Sequence, residues 1–193
     1  ADGVTEIDTT VRGEKKDLTW NPIGDSSGSY KGVFDGNGAE ITIHADRSIN
    51  NNAGLFGILG SGGEIRNVTT AGSSKGWDSV GQACSDAKIV NCNNKADITA
   101  QGGQAGGLAG YASSAQIESD TSISNTGAVT GTANVGGLVG QASGGMKVIV
   151  HEGILNSGAI TAKSSGYVGG LIGYADLASI QADADIINTG KIS

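Results

Sequence analysis

The chain of 193 residues carries a formal net charge of −7 and has 34 glycines but one proline, Pro22. An acidic chain with scattered Lys and Arg is a poor partner for nucleic acid or an anionic membrane surface, and no apolar run approaches the ~18 residues of a spanning helix, so no direct membrane insertion is expected. Glycine without a Gly-x-y period excludes collagen, and an apolar share of 37%, mostly Ile, Val, Leu and Ala with only 4% aromatics, fits one elongated domain built on many small side chains.

Residues 1–17 are polar and charged, with a weak alternation from Val4 to Val11, and are assigned as an N-terminal cap or linker; the repeat domain is assigned to 18–193. Next come Leu18-Thr-Trp-Asn-Pro-Ile-Gly24, the run Tyr30-Lys-Gly-Val-Phe-Asp-Gly-Asn-Gly38 and the alternating Ile41-Thr-Ile43. Short strands separated by tight turns are expected here, with one turn at Phe34 to Gly38.

From Ala53 onward one phrase recurs: Ala53-Gly-Leu-Phe-Gly57, Ala105-Gly-Gly-Leu-Ala-Gly110, Val135-Gly-Gly-Leu-Val-Gly140 and Val168-Gly-Gly-Leu-Ile-Gly173. Stacking the pairs Phe56-Gly57, Val80-Gly81, Ala109-Gly110, Val139-Gly140 and Ile172-Gly173 gives steps of 24, 29, 30 and 33 residues. Each unit also holds an asparagine two residues after an isoleucine: Ile65/Asn67, Ile89/Asn91, Ile123/Asn125, Ile154/Asn156 and Ile186/Asn188. The offsets from pair to asparagine are 11, 11, 16, 17 and 16, so the last three units are read as carrying an insertion of about five residues, rich in acids (Glu118, Asp120, Glu152, Asp183, Asp185). The asparagine then opens a turn, Asn125-Thr-Gly, Asn156-Ser-Gly or Asn188-Thr-Gly, in which glycine is expected to supply a positive φ.

Units of this length, with two or three short strands each and no sustained helical period, are satisfied by wrapping once around a common core and pairing in parallel with the next unit. The expected fold is therefore all-β, a single-stranded parallel β-helix (β-solenoid) of about 5–6 coils of 24–33 residues. Propeller blades need about 40 residues and fit less well. Inward positions then stack ~4.8 Å apart as a leucine column (Leu55, Leu108, Leu138, Leu171), an isoleucine column (Ile65, Ile89, Ile123, Ile154, Ile186) and an asparagine ladder (Asn67, Asn91, Asn125, Asn156, Asn188) whose amides bond one another. In the unit 78–100, Asp78-Ser79 stands where Gly-Leu is expected, and the column should weaken there.

These phrases, with Trp20-Asn-Pro-Ile-Gly24, Gly32-Val-Phe-Asp-Gly-Asn-Gly38 and Ile65-Arg-Asn-Val68 ahead of or among them, resemble the GLUG-motif repeats of bacterial cell-surface proteins and of the non-catalytic region of immunoglobulin A peptidases. The resemblance covers residues 18–193. It implies a secreted, extracellular β-solenoid displayed on the bacterial surface, and it brings no catalytic residue with it.

Candidate chemistry is sparse. His151-Glu152-Gly153-Ile154-Leu155 begins like the His-Glu-x-x-His of zinc peptidases but ends in Leu155 in a strand setting, so no metal site is assigned. Phe34-Asp-Gly-Asn-Gly-Ala-Glu40 has oxygen ligands at alternate positions, a weak Ca2+ signal set against a plain turn. The five acids read as a solvated, edge-protecting corner, with a Ca2+ row or paired glycosidase carboxylates as the alternative. Cys84 and Cys92 either close one short disulfide or remain two small free residues. Tyr111 and Tyr174 occupy equivalent positions two units apart and, with Trp77, are the candidate ligand-binding residues, suited to stacking on a sugar ring.

The expected function is a non-catalytic structural or adhesive segment without a cofactor, with a host glycan or a matrix or surface protein as partner. The alternatives are a β-helical lyase or hydrolase and the spacer of a large zinc peptidase. Because the array stops inside a strand at Ile192-Ser193, end-to-end self-association is also expected.

Overall fold

The computed structural model describes the short strands Val4–Glu6, Thr10–Val11 and Glu14–Lys15 and residues 22–46, 54–75 and 80–193. Every regular element among the described residues is a β-strand, and apart from Thr10–Val11 with Glu14–Lys15 the strands pair in parallel. They stack as a β-solenoid of about five turns. Phe56 pairs with Val80, Val80 with Ala109, Ala109 with Val139 and Val139 with Ile172, the rungs that the phrase implied. The leucine column lies beside them: Leu108 N–H donates to the Leu138 carbonyl at 2.9 Å, Leu138 N–H to that of Leu171 at 2.9 Å, and Leu55, Leu108 and Leu138 are buried.

From Val80 to Gly169 each coil holds five strands rather than two or three. The one beginning at Ala109–Ser113 continues through Gln116–Ser119, Ile123–Asn125, Val129–Gly131 and Val135–Gly136. Corners this tight need left-handed backbone, supplied by Ser114 (φ 50°) in that coil and by Gly144 and Gly145 (φ 62° and 81°) in the next. The stretch from Phe34 to Gly38 is not a turn but part of the strand Val33–Asp46. Register jumps there from Asp35 opposite Arg66 to Ala39 opposite Val68, so two additional residues bulge out of the strand beside Asn37 (φ 52°) and Gly38 (φ 78°).

Two expected columns each divide in two. Ile65 and Ile89 pair with one another and continue as Ile117, Val148 and Ile180. Ile123, Ile154 and Ile186 form a separate column. Its lower members are Cys92 and Val68, because Asn94 pairs with Asn125 above and Thr70 below. The asparagines divide likewise: Asn94, Asn125, Asn156 and Asn188 are in register, whereas Asn67 and Asn91 belong to an earlier corner. Since Glu118 pairs with Val90, Ser119 stands level with Asn91. The insertion is therefore three residues, 120–122, 151–153 and 183–185, placed where Asn91 and Cys92 are adjacent. Isoleucine followed two positions later by a polar residue satisfies the in-out alternation at either level, so alternation alone did not set the register.

The apolar interior has two parts. Leucine and both isoleucine columns form the larger, and Ala96, Ile98, Ala100, Ala105, Val129, Val135 and Ile160 the smaller. The asparagine ladder stands between them in the chain, Asn125 following Ile123 of one and preceding Val129 of the other. The second glycine of each phrase faces that ladder. A Cβ at Gly107 would fall 2.5 Å from Asn125 Oδ1, one at Gly137 2.7 Å from Asn156 Cγ and one at Gly170 2.8 Å from Asn188 Cγ. The turn glycines Gly127, Gly158 and Gly190 lack the positive φ expected of them; a Cβ there would collide with the carbonyls of Ala96, Gly127 and Gly158 one coil below.

Asp78-Ser79, where the leucine column was expected to weaken, lie outside the described residues. Among the described residues a cavity of about 20 Å³ is lined by, among others, Leu55 and Val68 of one coil, Ile89 and Cys92 of the next and Leu108 of the one after. Cys84 and Cys92 are free, and Cys92 is buried with its thiol donating to the Val90 carbonyl at 3.2 Å. Burial pushes that thiol up to about 12.

Candidate functional site

Glycine-rich close approach makes the phrase a narrow double-back, with Ala105–Gly106 and Ala109–Ser113 as its two arms. A Cβ at Gly140 would lie 2.6 Å from Ala105 N. The residues just before and just after each phrase are consequently brought side by side on the outside of the coil. They are Gln104 and Tyr111, then Asn134 and Gln141, then Tyr167 and Tyr174, always seven apart. Parallel stacking sets them in two adjacent columns, since Tyr111 pairs with Gln141 and Gln141 with Tyr174, while Ala105, Val135 and Val168, which follow Gln104, Asn134 and Tyr167 in the chain, pair with one another.

The columns are tied together. Gln104 Nε2 donates to Gln141 Oε1 at 2.8 Å, and Asn134 Nδ2 donates to the same oxygen at 2.9 Å. That leaves the Gln141 amide nitrogen without an acceptor among the described residues. Tyr111 Oη lies 2.9 Å from Ser143 Oγ, and the rings of Tyr167 and Tyr174 lie 5.2 Å apart, tilted by 44°. Tyr167 is 63% exposed, whereas Tyr111, Gln141 and Tyr174 are half-buried. The six side chains carry no charge. Of the residues singled out from sequence for ligand binding, Tyr111 and Tyr174 therefore share one column, and Trp77 lies outside the described residues. Gln104, Asn134 and Gln141 were missed, although their fixed place at the flanks of the repeated phrase was a usable signal.

Asp120, Glu152, Asp183 and Asp185 lie in the stacked insertions 120–122, 151–153 and 183–185, and three of the five acids have separate partners. Glu118 faces outward and pairs with Lys88 at 3.3 Å; Asp183 meets His151 Nδ1 at 3.1 Å; Glu152 accepts from the N–H and hydroxyl of Ser122 at 3.0 and 2.9 Å. His151 and Glu152 thus sit on a bend, bonded to different coils. Asp35, in the stretch read as a weak calcium loop, accepts from Asn67 Nδ2 at 3.0 Å, from the Asn37 N–H at 2.9 Å and from Arg66 Nε at 2.9 Å. Those three bonds, Asn67's foremost, hold its carboxyl below the usual range. Glu40 pairs with Lys95 at 2.7 Å. Among the described residues no three His, Cys, Asp or Glu side chains come together as a metal cage, and no helix is long and apolar enough to cross a membrane.

No family model matches the chain, and no solved structure matches it. Seventy residues, 36% of the chain, are 37% identical to part of a protein of Evansella cellulosilytica named as a Gly-rich membrane protein. The match spans 8% of that relative's length.

Proposed function

We propose that the chain is a non-catalytic, GLUG-type β-solenoid segment of a bacterial surface or secreted protein, acting outside the cell as a rigid stalk with an adhesive face. One observation carries this reading. The side chains that recur from coil to coil (Leu108 with Leu138, Ile123 with Ile154, Asn125 with Asn156, Gly107 with Gly137) are spent on stacking, while Glu118, Glu152 and Asp183 are each held by a different partner. The glycines of the phrase, which carry the resemblance to GLUG repeats, are explained by contacts inside the stack. A bacterial relative named as a membrane protein agrees with display at the cell surface.

A carbohydrate-active β-helix would need a raised and an ordinary carboxyl converging on one groove. Incubation with soluble polysaccharides, followed by assay for new reducing ends and unsaturated products, tests this. No turnover is expected. Turnover abolished by Asp120→Ala or Asp185→Ala would overturn the non-catalytic reading.

A further inference from the structure

We propose that the ribbon of Gln104, Tyr111, Asn134, Gln141, Tyr167 and Tyr174 binds an uncharged polysaccharide lying along the solenoid axis, which deepens the adhesive reading above and rests on it. Sugar rings offer C–H faces that stack on aromatic rings and hydroxyls that accept from or donate to amides, and this ribbon presents both kinds of partner. Its first column reads Tyr, Gln, Tyr on three successive coils. The rungs repeat at ~4.8 Å, so Tyr111 and Tyr174 stand roughly 10 Å apart with the Gln141 amide between them. Gln141 is also held for a ligand: its oxygen is taken by Gln104 and Asn134, which leaves its N–H groups, without an acceptor among the described residues, to donate to a sugar hydroxyl. A tyrosine on either side of a fixed donor is a platform for consecutive sugar units rather than for a single small molecule.

Charge and width select the ligand. None of the six residues is Lys or Arg, and the chain as a whole is at −7, so acidic glycans are repelled and have no counter-ion here. A protein partner generally requires about 800 Å² on each side with an apolar centre, whereas this ribbon is two side chains wide and rich in amides. A linear neutral glycan fits a strip of that shape.

The test is affinity electrophoresis of the full chain through gels containing soluble starch, dextran, mannan, xyloglucan or mixed-linkage β-glucan, with polygalacturonate as the acidic comparison. At least one neutral polymer is expected to retard the chain. Tyr174→Ala and Gln141→Ala should each weaken that retardation about tenfold, while Tyr174→Phe, which keeps the ring, should retain most of it. Tyr167→Ala serves as the variant that must fold, because its side chain is the most exposed of the six. Retardation by none of the neutral polymers, retardation by polygalacturonate alone, or equal retardation of wild type and the alanine variants would overturn the proposal. Loss of retardation without new reducing ends leaves the non-catalytic reading standing. Ribbon-dependent retardation accompanied by new reducing ends keeps the ribbon and overturns that reading instead.

Discussion

Two amide columns run through this solenoid, and they do different work. Asn94, Asn125 and Asn156 are fully buried, and each donates twice: to the carbonyl two residues ahead (2.8–3.1 Å) and to the amide oxygen of the next coil (2.6–2.7 Å). The other column begins at a charged Asp35, passes through Asn67 and Asn91 at 3.0 and 3.3 Å, and ends at Ser119, whose hydroxyl donates to Asn91 at 3.0 Å. Its asparagines are half-exposed and left-handed, with φ of 55° and 51°. The first column satisfies buried polar groups between two cores, so its geometry repeats without change. The second turns a corner, so any residue that tolerates the corner can replace its members, and from Ser119 upward asparagine is absent.

The largest effect that separates the columns is on stability. Asn125→Leu removes the acceptor of Asn94 and the donor to Asn156 while both remain buried, and it should cost about 3 kcal/mol. Denaturant unfolding of the full chain measures it, and a loss within about 0.5 kcal/mol would mean that the ladder is not what joins the coils. Asn91→Ala should cost less, about 2 kcal/mol, part of it hydrogen bonding and part backbone strain. Asn91→Gly should recover about half of that, since glycine takes φ of 51° freely. No such recovery is expected for Asn125→Gly, which is not left-handed.

The stacking period was legible because Phe56, Val80, Ala109, Val139 and Ile172 carry a glycine after them and fix the level of each coil. The asparagine register was legible only in the last three units, where the Asn-x-Gly turn marks it. In the unit before, Asn94-Lys-Ala-Asp-Ile-Thr99 matches Asn125-Thr-Gly-Ala-Val-Thr130, but Ala96 replaces the glycine and the nearer Asn91 offered a better isoleucine. The ribbon of amides and tyrosines was half-legible. Tyr111 and Tyr174 announced themselves as aromatics, while Gln141 gains its meaning only from the two donors that fix its orientation.

The coil of residues 54–75, which stacks on the strand Val33–Asp46, shows what replaces the regular residues where the repeated phrase first occurs. Thr70 stands in for the ladder asparagine and still donates to Asn94 Oδ1 at 2.8 Å. Ser74 stands in for the aliphatic residue that pairs above it as Ile98, and its buried hydroxyl has no partner among the described residues. Ser74→Ala should therefore raise stability by about 1 kcal/mol. An unchanged unfolding midpoint would mean that the hydroxyl is hydrated.

Cys92 lies between the two columns and gives the smallest effect at neutral pH. It occupies the level that Ile123 and Ile154 fill in later coils, and the cavity beside it is lined by Val68 and Ile89. Cys92→Ile should add about 0.5 kcal/mol at pH 7 by filling part of that space. The pH dependence sharpens the test. The thiol's ordinary pKa of 9.0 is raised to about 12 by burial, so below pH 9 both folded and unfolded chains keep the proton and the thiol contributes no slope. Between 9 and 12 the unfolded chain releases the proton and the folded chain holds it, which lowers stability as pH rises. Cys92→Ile abolishes that part of the slope, so the gap between variant and wild type should widen through this window. Parallel curves would mean that Cys92 reaches solvent in the native fold, and that the larger core is open at the coil where its isoleucine column is interrupted.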